Sequence, residues 1–465
     1  MNDRKVNLAV LFGKRGSFPG EYISEARASV LRAIAEAGMS SIYLNEESTP
    51  YGAIETIQDG KKFDSFLKEN RGNYDGILLC LPNFGDENGI LAALKNADAP
   101  ILVHAFPDKI GEMNPLQRRD AMCGKFAACN VLRQANIPYT LTKRFVVSPD
   151  SEAFQTELKR FASVCRVVRG MRSFNIGAFG ARTTPFKTVR IDEIALQKKG
   201  INVETLDLSE IFSMVRGTSE RRMREAEEKI LSVATFSGYP EEKLHTLAKV
   251  QAAFEDVIDR YDLQGVAVRC WNEFETELQI APCVCLSVLN EMGIPAACEV
   301  DVSNAVLMRA FHLASETPSA LLDFNNNYGD ADDKAILFHC GPIPLSMMEG
   351  KGEIKDHMML RNLGEGNSVG VNIGKIRSGK ITIGSLKTEN GELESFVTDG
   401  VFTEDPIEEE FFGCGKVMRR ENIDTLANFM AREGYKHHLC VTFGDYADVI
   451  QEAFTNYLGY GIKVL

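Results

Sequence analysis

Gly293-Ile-Pro-Ala-Ala-Cys-Glu-Val-Asp-Val302, Leu321-Leu-Asp-Phe-Asn-Asn-Asn-Tyr328 and Ile336-Leu-Phe-His-Cys-Gly-Pro342 follow one another within fifty residues of the chain. Each opens with a short apolar segment of buried-strand length and ends on a side chain that can ionise or bind metal: Glu299, Asp323 and His339. In open α/β sheets ligands bind beyond the carboxyl ends of the strands, so the stretch predicts a sheet fold with one shared site. Two carboxylates and an imidazole, with no thiolate among them, suit a hard or borderline divalent cation. Taken singly, each residue reads better as a solvated polar strand end; their recurrence turns the balance toward a site.

Outward from that stretch, strands at 5–12, 41–44, 76–81 and 100–105 alternate with helical patterns, which predicts a parallel sheet. A helix is expected over 115–137, entered at Pro115, with Arg118, Arg119 and Asp120 in its first turns. Ser173-Phe-Asn-Ile-Gly-Ala-Phe-Gly180 repeats the strand-then-glycine opening, followed by a strand at 201–206 and helices at 218–233 and 240–261. Another strand, 265–271, carries the lone Trp271, and apolar residues 306–314 read as the helix between the two carboxylate strands. From Asn367 the pattern turns to period two with Ser-Gly, Asn-Gly and Asp-Gly turns, which is antiparallel sheet. Gly374-Lys-Ile-Arg-Ser-Gly-Lys380 matches a phosphate loop for seven positions, but Ile381 stands where Ser or Thr is needed and strands flank it. It reads as a hairpin turn.

The expected architecture is therefore α/β: two successive Rossmann-like parallel-sheet domains followed by a β-rich, small-barrel C-terminal domain. A prior of about 150 residues per domain gives roughly three for 465 residues. The boundaries are set at 1–170, at 171–312, carrying Glu299, and at 313–465, carrying Asp323, His339 and His438.

A formal charge of −13 argues against nucleic acid or an anionic membrane as partner. No apolar run approaches the ~20 residues of a membrane span, and Met1 to Phe12 lacks a leader pattern, so a cytoplasmic protein is expected. The eleven cysteines include no C-x-x-C pair and read as buried thiols in a reducing compartment. Of the seven histidines, His438 begins the apolar alternation 439–443, and the pair His437-His438 would place one imidazole inside and one out.

With these motifs in place, the sequence resembles the L-fucose isomerase and L-arabinose isomerase family of metal-dependent aldose/ketose isomerases. Glu299-Val-Asp301 matches the family's Glu-x-Asp segment, Asp323 follows Glu299 by 24 residues, and His438 stands six residues before Gly444. The resemblance implies Glu299, Asp323 and His438 as metal ligands, and Glu299 and Asp323 as the carboxylates that shuttle the proton. His339 falls where the arabinose branch places a further histidine, as a metal or substrate contact. It also implies Mn²⁺ or another divalent cation, a sugar substrate (a pentose, a 6-deoxyhexose or a 6-sulfo sugar), and a homotrimer or hexamer with the site near a subunit interface. Arg118 and Arg119 are then candidates to act in trans.

Moving a carbonyl from C1 to C2 needs a base, an acid and a polarised oxygen, and that residue set supplies them. Asn325, Asn326 and Trp271 are candidate substrate contacts, although an Asn run before Gly329 is also a good turn. The alternatives are a non-catalytic cytoplasmic sugar-binding protein, which needs no ionisable triad, and a metal-dependent hydrolase.

Overall fold

In the computed structural model, which describes residues 4–16, 18, 20–408 and 411–465, the chain forms two compact units. One comprises residues up to 169 together with 452–459; the other comprises 170–451 together with 460–465. Residues 1–3 of the stretch read for a leader lie outside the described residues.

The first unit holds β1 (Asn7–Phe12), β2 (Ser40–Tyr43), β3 (Gly76–Leu81), β4 (Ile101–Ala105) and β5 (Thr140–Leu141), all parallel, in the order β2-β1-β3-β4-β5. Every residue of β3 is buried, as expected of a strand covered on both faces. The helix expected over 115–137 spans Ala121–Gln134 instead, so Arg118 and Arg119 precede it. Asp120 sits in the left-handed region at φ +50°, and the Arg119 N–H donates to Asp108 Oδ1 at 2.6 Å, so this backbone cannot coil into the helix.

The second unit contains, in chain order, β6 (Phe174–Phe179), β7 (Ile201–Leu206), β8 (Ala234–Thr235), β9 (Leu263–Val268), β10 (Ala296–Cys298), β11 (Ala320–Asn327), β12 (Lys334–His339), β13 (Gly352–Asp356), β14 (Val369–Ile373), β15 (Gly379–Glu389), β16 (Glu392–Phe402), β17 (Cys414–Arg419), β18 (His438–Phe443) and β19 (Gly461–Val464). Four strands make a second parallel sheet, β10-β9-β6-β7, and β14-β13-β8 make a small third one. The rest runs β15-β18-β11-β12-β17-β16, antiparallel throughout, with β19 added on β16. Because β15 also pairs with β16 along eleven residues, the six strands close into a barrel and leave no free edge among themselves.

Strand alternation sorts the barrel's side chains. Leu322, Leu337, Ile381, Ile383, Leu439 and Val441 fill its interior. On the outer face of β18, Cys440 Sγ donates to Asn304 O at 3.2 Å and Thr442 Oγ1 to Ser315 Oγ at 3.1 Å. Both acceptors belong to the helix Val302–Ser315, which packs against β9, β15 and β18 and is buried almost all round. This helix stands between the second parallel sheet and the barrel, and its N-terminus enters the site.

Gly413 fixes the approach of β17 to the end of β12. Its φ is +81°, and a Cβ there would lie 2.5 Å from the Phe338 ring and 2.6 Å from the His339 carbonyl oxygen. Gly413→Ala is expected to cost about 2–3 kcal/mol in urea unfolding through strain and displaced neighbours.

Candidate active site

Glu299 leaves the end of β10 in an unusual conformation. Both Glu299 (φ +62°) and Val300 (φ +59°) are left-handed, a backbone that costs a non-glycine residue about 1–2 kcal/mol. Strain of this kind is retained where surrounding structure over-determines it. Here Asp301, the next residue, caps the central helix by accepting from the Asn304 N–H at 3.1 Å.

Asp301 does more than cap. Fully buried, it also accepts from Asn304 Nδ2 (2.9 Å), Ser303 Oγ (3.1 Å), Lys436 Nζ (2.6 Å) and His438 Nδ1 (2.7 Å). Burial alone would raise this carboxyl, but Lys436 and His438 outweigh it and hold it far below the usual carboxylate range. A carboxylate can only accept, so the Nδ1 hydrogen of His438 is fixed and Nε2 faces away from Asp301.

Around that outward nitrogen the carboxylates gather. Glu299 Oε2 is 3.2 Å and Asp323 Oδ1 3.5 Å from His438 Nε2. Asp323 is not at a strand end, as expected from the sequence, but in the fourth position of β11. The reason is that β11 lies in an antiparallel barrel and continues into a hairpin, with a register shift between Phe324 and Asn326. Antiparallel pairing sets Asp323 directly opposite His438, so both side chains leave the barrel on the same face. His437 is the exposed member of its pair, with Nε2 3.7 Å from Asp323 Oδ1.

His339, the last residue of β12, joins the same space: candidate ligand atoms of Glu299, His339 and His438 all lie within 4.8 Å of one another. Two contacts compete for its Nδ1, the Cys340 backbone N–H at 2.9 Å and Cys340 Sγ at 3.2 Å. The backbone N–H is an obligate donor, so Nδ1 accepts.

Asp323 Oδ1, His438 Nε2 and His339 Nε2 are buried and lack hydrogen-bond partners. Buried polar atoms left this way normally have a partner of another kind. Burial opposes charge on His438, yet Asp301, Glu299 and Asp323 raise it to about 10. The negative field that draws protons here is one a cation would satisfy; ligand atoms within 4.8 Å of one another are offered by Glu299, His339 and His438 and, around the same imidazole, by Asp323, His437 and His438.

Comparison with known proteins extends this reading. Residues 9–172 match the N-terminal domain of fucose/sulfoquinovose isomerase, and residues 337–464 match the C-terminal domain of L-fucose isomerase. The chain belongs to the L-fucose isomerase-like family. It is 23% identical over 406 residues to the sulfoquinovose isomerase of Alkalicoccus urumqiensis, covering 86% of this chain and 88% of the relative. The sulfoquinovose isomerase of Priestia aryabhattai is 23% identical over 417 residues, 87% of this chain and 89% of its own length. That of Clostridium sp. (strain MSTE9) is 22% identical over 235 residues, 50% of this chain and 51% of its own. The protein is an aldose–ketose isomerase.

The isomerase's other expected contacts are spread more widely. Asn325 and Asn326 are exposed at the β11 bulge and hydrogen-bond to each other. Trp271 is half-buried between Phe186 and His357, with ring centroids at 6.1 and 5.6 Å. Arg118, in the first unit, pairs with Asp120 at 3.0 Å. Sequence reasoning gave no role to Asp301 or Lys436, although an Asp before an apolar helix and a Lys two residues before His438 were visible signals. Nor did it single out His357, buried with both ring nitrogens unpartnered, or the Glu275 carboxyl, which burial pushes up to about 8.

Because the folded state raises His438 from its ordinary value to about 10, its contribution to stability is complete below the unfolded pKa of about 6.5. It is lost as pH rises through about 10. The melting temperature of the isomerase in EDTA is expected to fall from about pH 7 to about pH 10.5 by differential scanning fluorimetry, and to fall less steeply in His438→Asn.

Proposed function

We propose that the protein is a Mn²⁺-dependent isomerase of a sulfo sugar, acting in the cytoplasm. The observation that carries the metal site is the approach of Glu299 Oε2 and Asp323 Oδ1 to one buried, unpartnered nitrogen, His438 Nε2. The substrate class is supported by the name sulfoquinovose isomerase that the relatives bear. Glu299, Asp323 and His438 would hold the ion, and a bound divalent cation supplies Lewis-acid polarisation of a sugar carbonyl oxygen.

The chain's own groups then move protons. One carboxylate takes the C2 proton, and the freed pair forms the C1–C2 double bond of an enediol as O1 gains a proton. Return of a proton to C1, with loss of the O2 proton, gives the ketose. Glu299 and Asp323 share the acid and base roles. Asp301 keeps His438 turned so that its Nε2, and not its Nδ1, faces them.

Assembly into a trimer or hexamer is part of this reading. Ile110 (97% exposed), Met113 and Leu116 (83%) are apolar side chains on the segment between β4 and the helix Ala121–Gln134. A cluster of this kind is a candidate subunit contact. Light scattering is expected to give a mass several-fold above 51.5 kDa, reduced in the Ile110→Asp/Leu116→Asp double variant.

Dialysis against EDTA is expected to abolish conversion of sulfoquinovose to its ketose, and Mn²⁺ to restore it. Glu299→Gln and Asp323→Asn are each expected to lower kcat about 100- to 10,000-fold while circular dichroism shows a folded protein. Full turnover by either variant would refute the assignment.

A further inference from the structure

Two imidazoles face the carboxylates of the site, and their hydrogen bonds orient them in opposite senses. His438 gives its Nδ1 hydrogen to Asp301 at 2.7 Å. That is the arrangement of a metal-binding histidine, whose remote N–H is held by a carboxylate while the other nitrogen offers its lone pair. His339 has the reverse arrangement. Its Nδ1 accepts the fixed N–H of Cys340 at 2.9 Å, so in the neutral ring the hydrogen sits on Nε2. Placing the lone pair on Nε2 instead would turn an Nδ1 hydrogen toward Cys340 Sγ at 3.2 Å but leave the Cys340 N–H, at 2.9 Å, facing a donor.

Both Nε2 atoms are buried and unpartnered, and the two rings lie 6.2 Å apart between centroids. His339 Nε2 therefore carries a buried hydrogen without an acceptor, on a ring that shares the space of Glu299 and His438. A buried donor without an acceptor is unfavourable unless a ligand supplies one. The oxygens of a bound sugar are acceptors of the required kind, and negative charge builds on them as the carbonyl migrates.

We propose that His339 donates a hydrogen bond from Nε2 to a sugar oxygen and is not a metal ligand, so that Glu299, Asp323 and His438 alone hold the ion. This rests on the metal-dependent isomerase reading above. Mn²⁺ binding to the metal-free full-length chain, followed by isothermal calorimetry, separates the two roles when combined with steady-state kinetics. His339→Leu and His339→Gln are expected to bind Mn²⁺ within about 3-fold of wild type, whereas His438→Gln is expected to bind at least about 100-fold more weakly.

In kinetics, His339→Leu is expected to lose about 100- to 1000-fold in kcat, the cost of removing one donor to a developing oxyanion. His339→Gln, whose amide N–H can stand in for Nε2–H, should recover part of that loss. Weakening of Mn²⁺ binding in both His339 variants to the level of His438→Gln would overturn the proposal, as would unchanged kcat in His339→Leu. If wild type itself binds no divalent cation, the parent reading falls and the assignment of His339 falls with it.

Discussion

A single buried carboxylate, Asp301, ties together the elements that build the site. It accepts hydrogen bonds from the first turn of the central helix, from Lys436 and from His438, and so joins the second parallel sheet's last crossover to the outer face of the barrel. Removing one partner of such a buried pair typically costs about 3–5 kcal/mol, because the other charge is left without solvent or counterion. The arrangement is thus of the kind that holds only when all of its members are present, and the orientation of His438 follows from it.

Glu299 is positioned by the same constraint. With Cys298 fixed in β10 and Asp301 fixed at the helix cap, the two residues between them have little room, and both adopt left-handed backbone. Asp323 arrives by an independent route. Its place opposite His438 is set by the pairing of β11 with β18, which the barrel's closure and its apolar interior lock in register, since a one-residue slip would turn Leu322 and Leu439 outward. Two unrelated pieces of geometry, a strained crossover and a strand register, therefore bring two carboxylates to one imidazole.

Much of the architecture was legible in the residues. Strand-helix alternation announced the parallel sheets, and period two after Asn367 announced antiparallel strands, of which β15, β16 and β17 enter the barrel while β14 pairs in the small third sheet; that β11 and β12 join the barrel was not legible. The pair His437-His438 divided into one exposed and one buried ring, as strand alternation requires. Local reading failed where backbone conformation departs from pattern: helical spacing extended into 115–120, but the left-handed Asp120 starts the helix at Ala121. It failed again at Asp323, because an apolar run that stops at an acid looks like a strand end even when the strand continues into a polar hairpin.

By itself the sequence determined the kinds of element, their order along the chain and which side chains carry chemistry, because periodicity and residue type are local properties. Only the tertiary structure decided that β15 closes on β16, that Lys436 and His438 meet Asp301 across more than 130 residues, and that the two imidazoles present opposite hydrogen-bonding faces to the site. Those are matters of which donor meets which acceptor, and that is fixed only once distant segments are packed together.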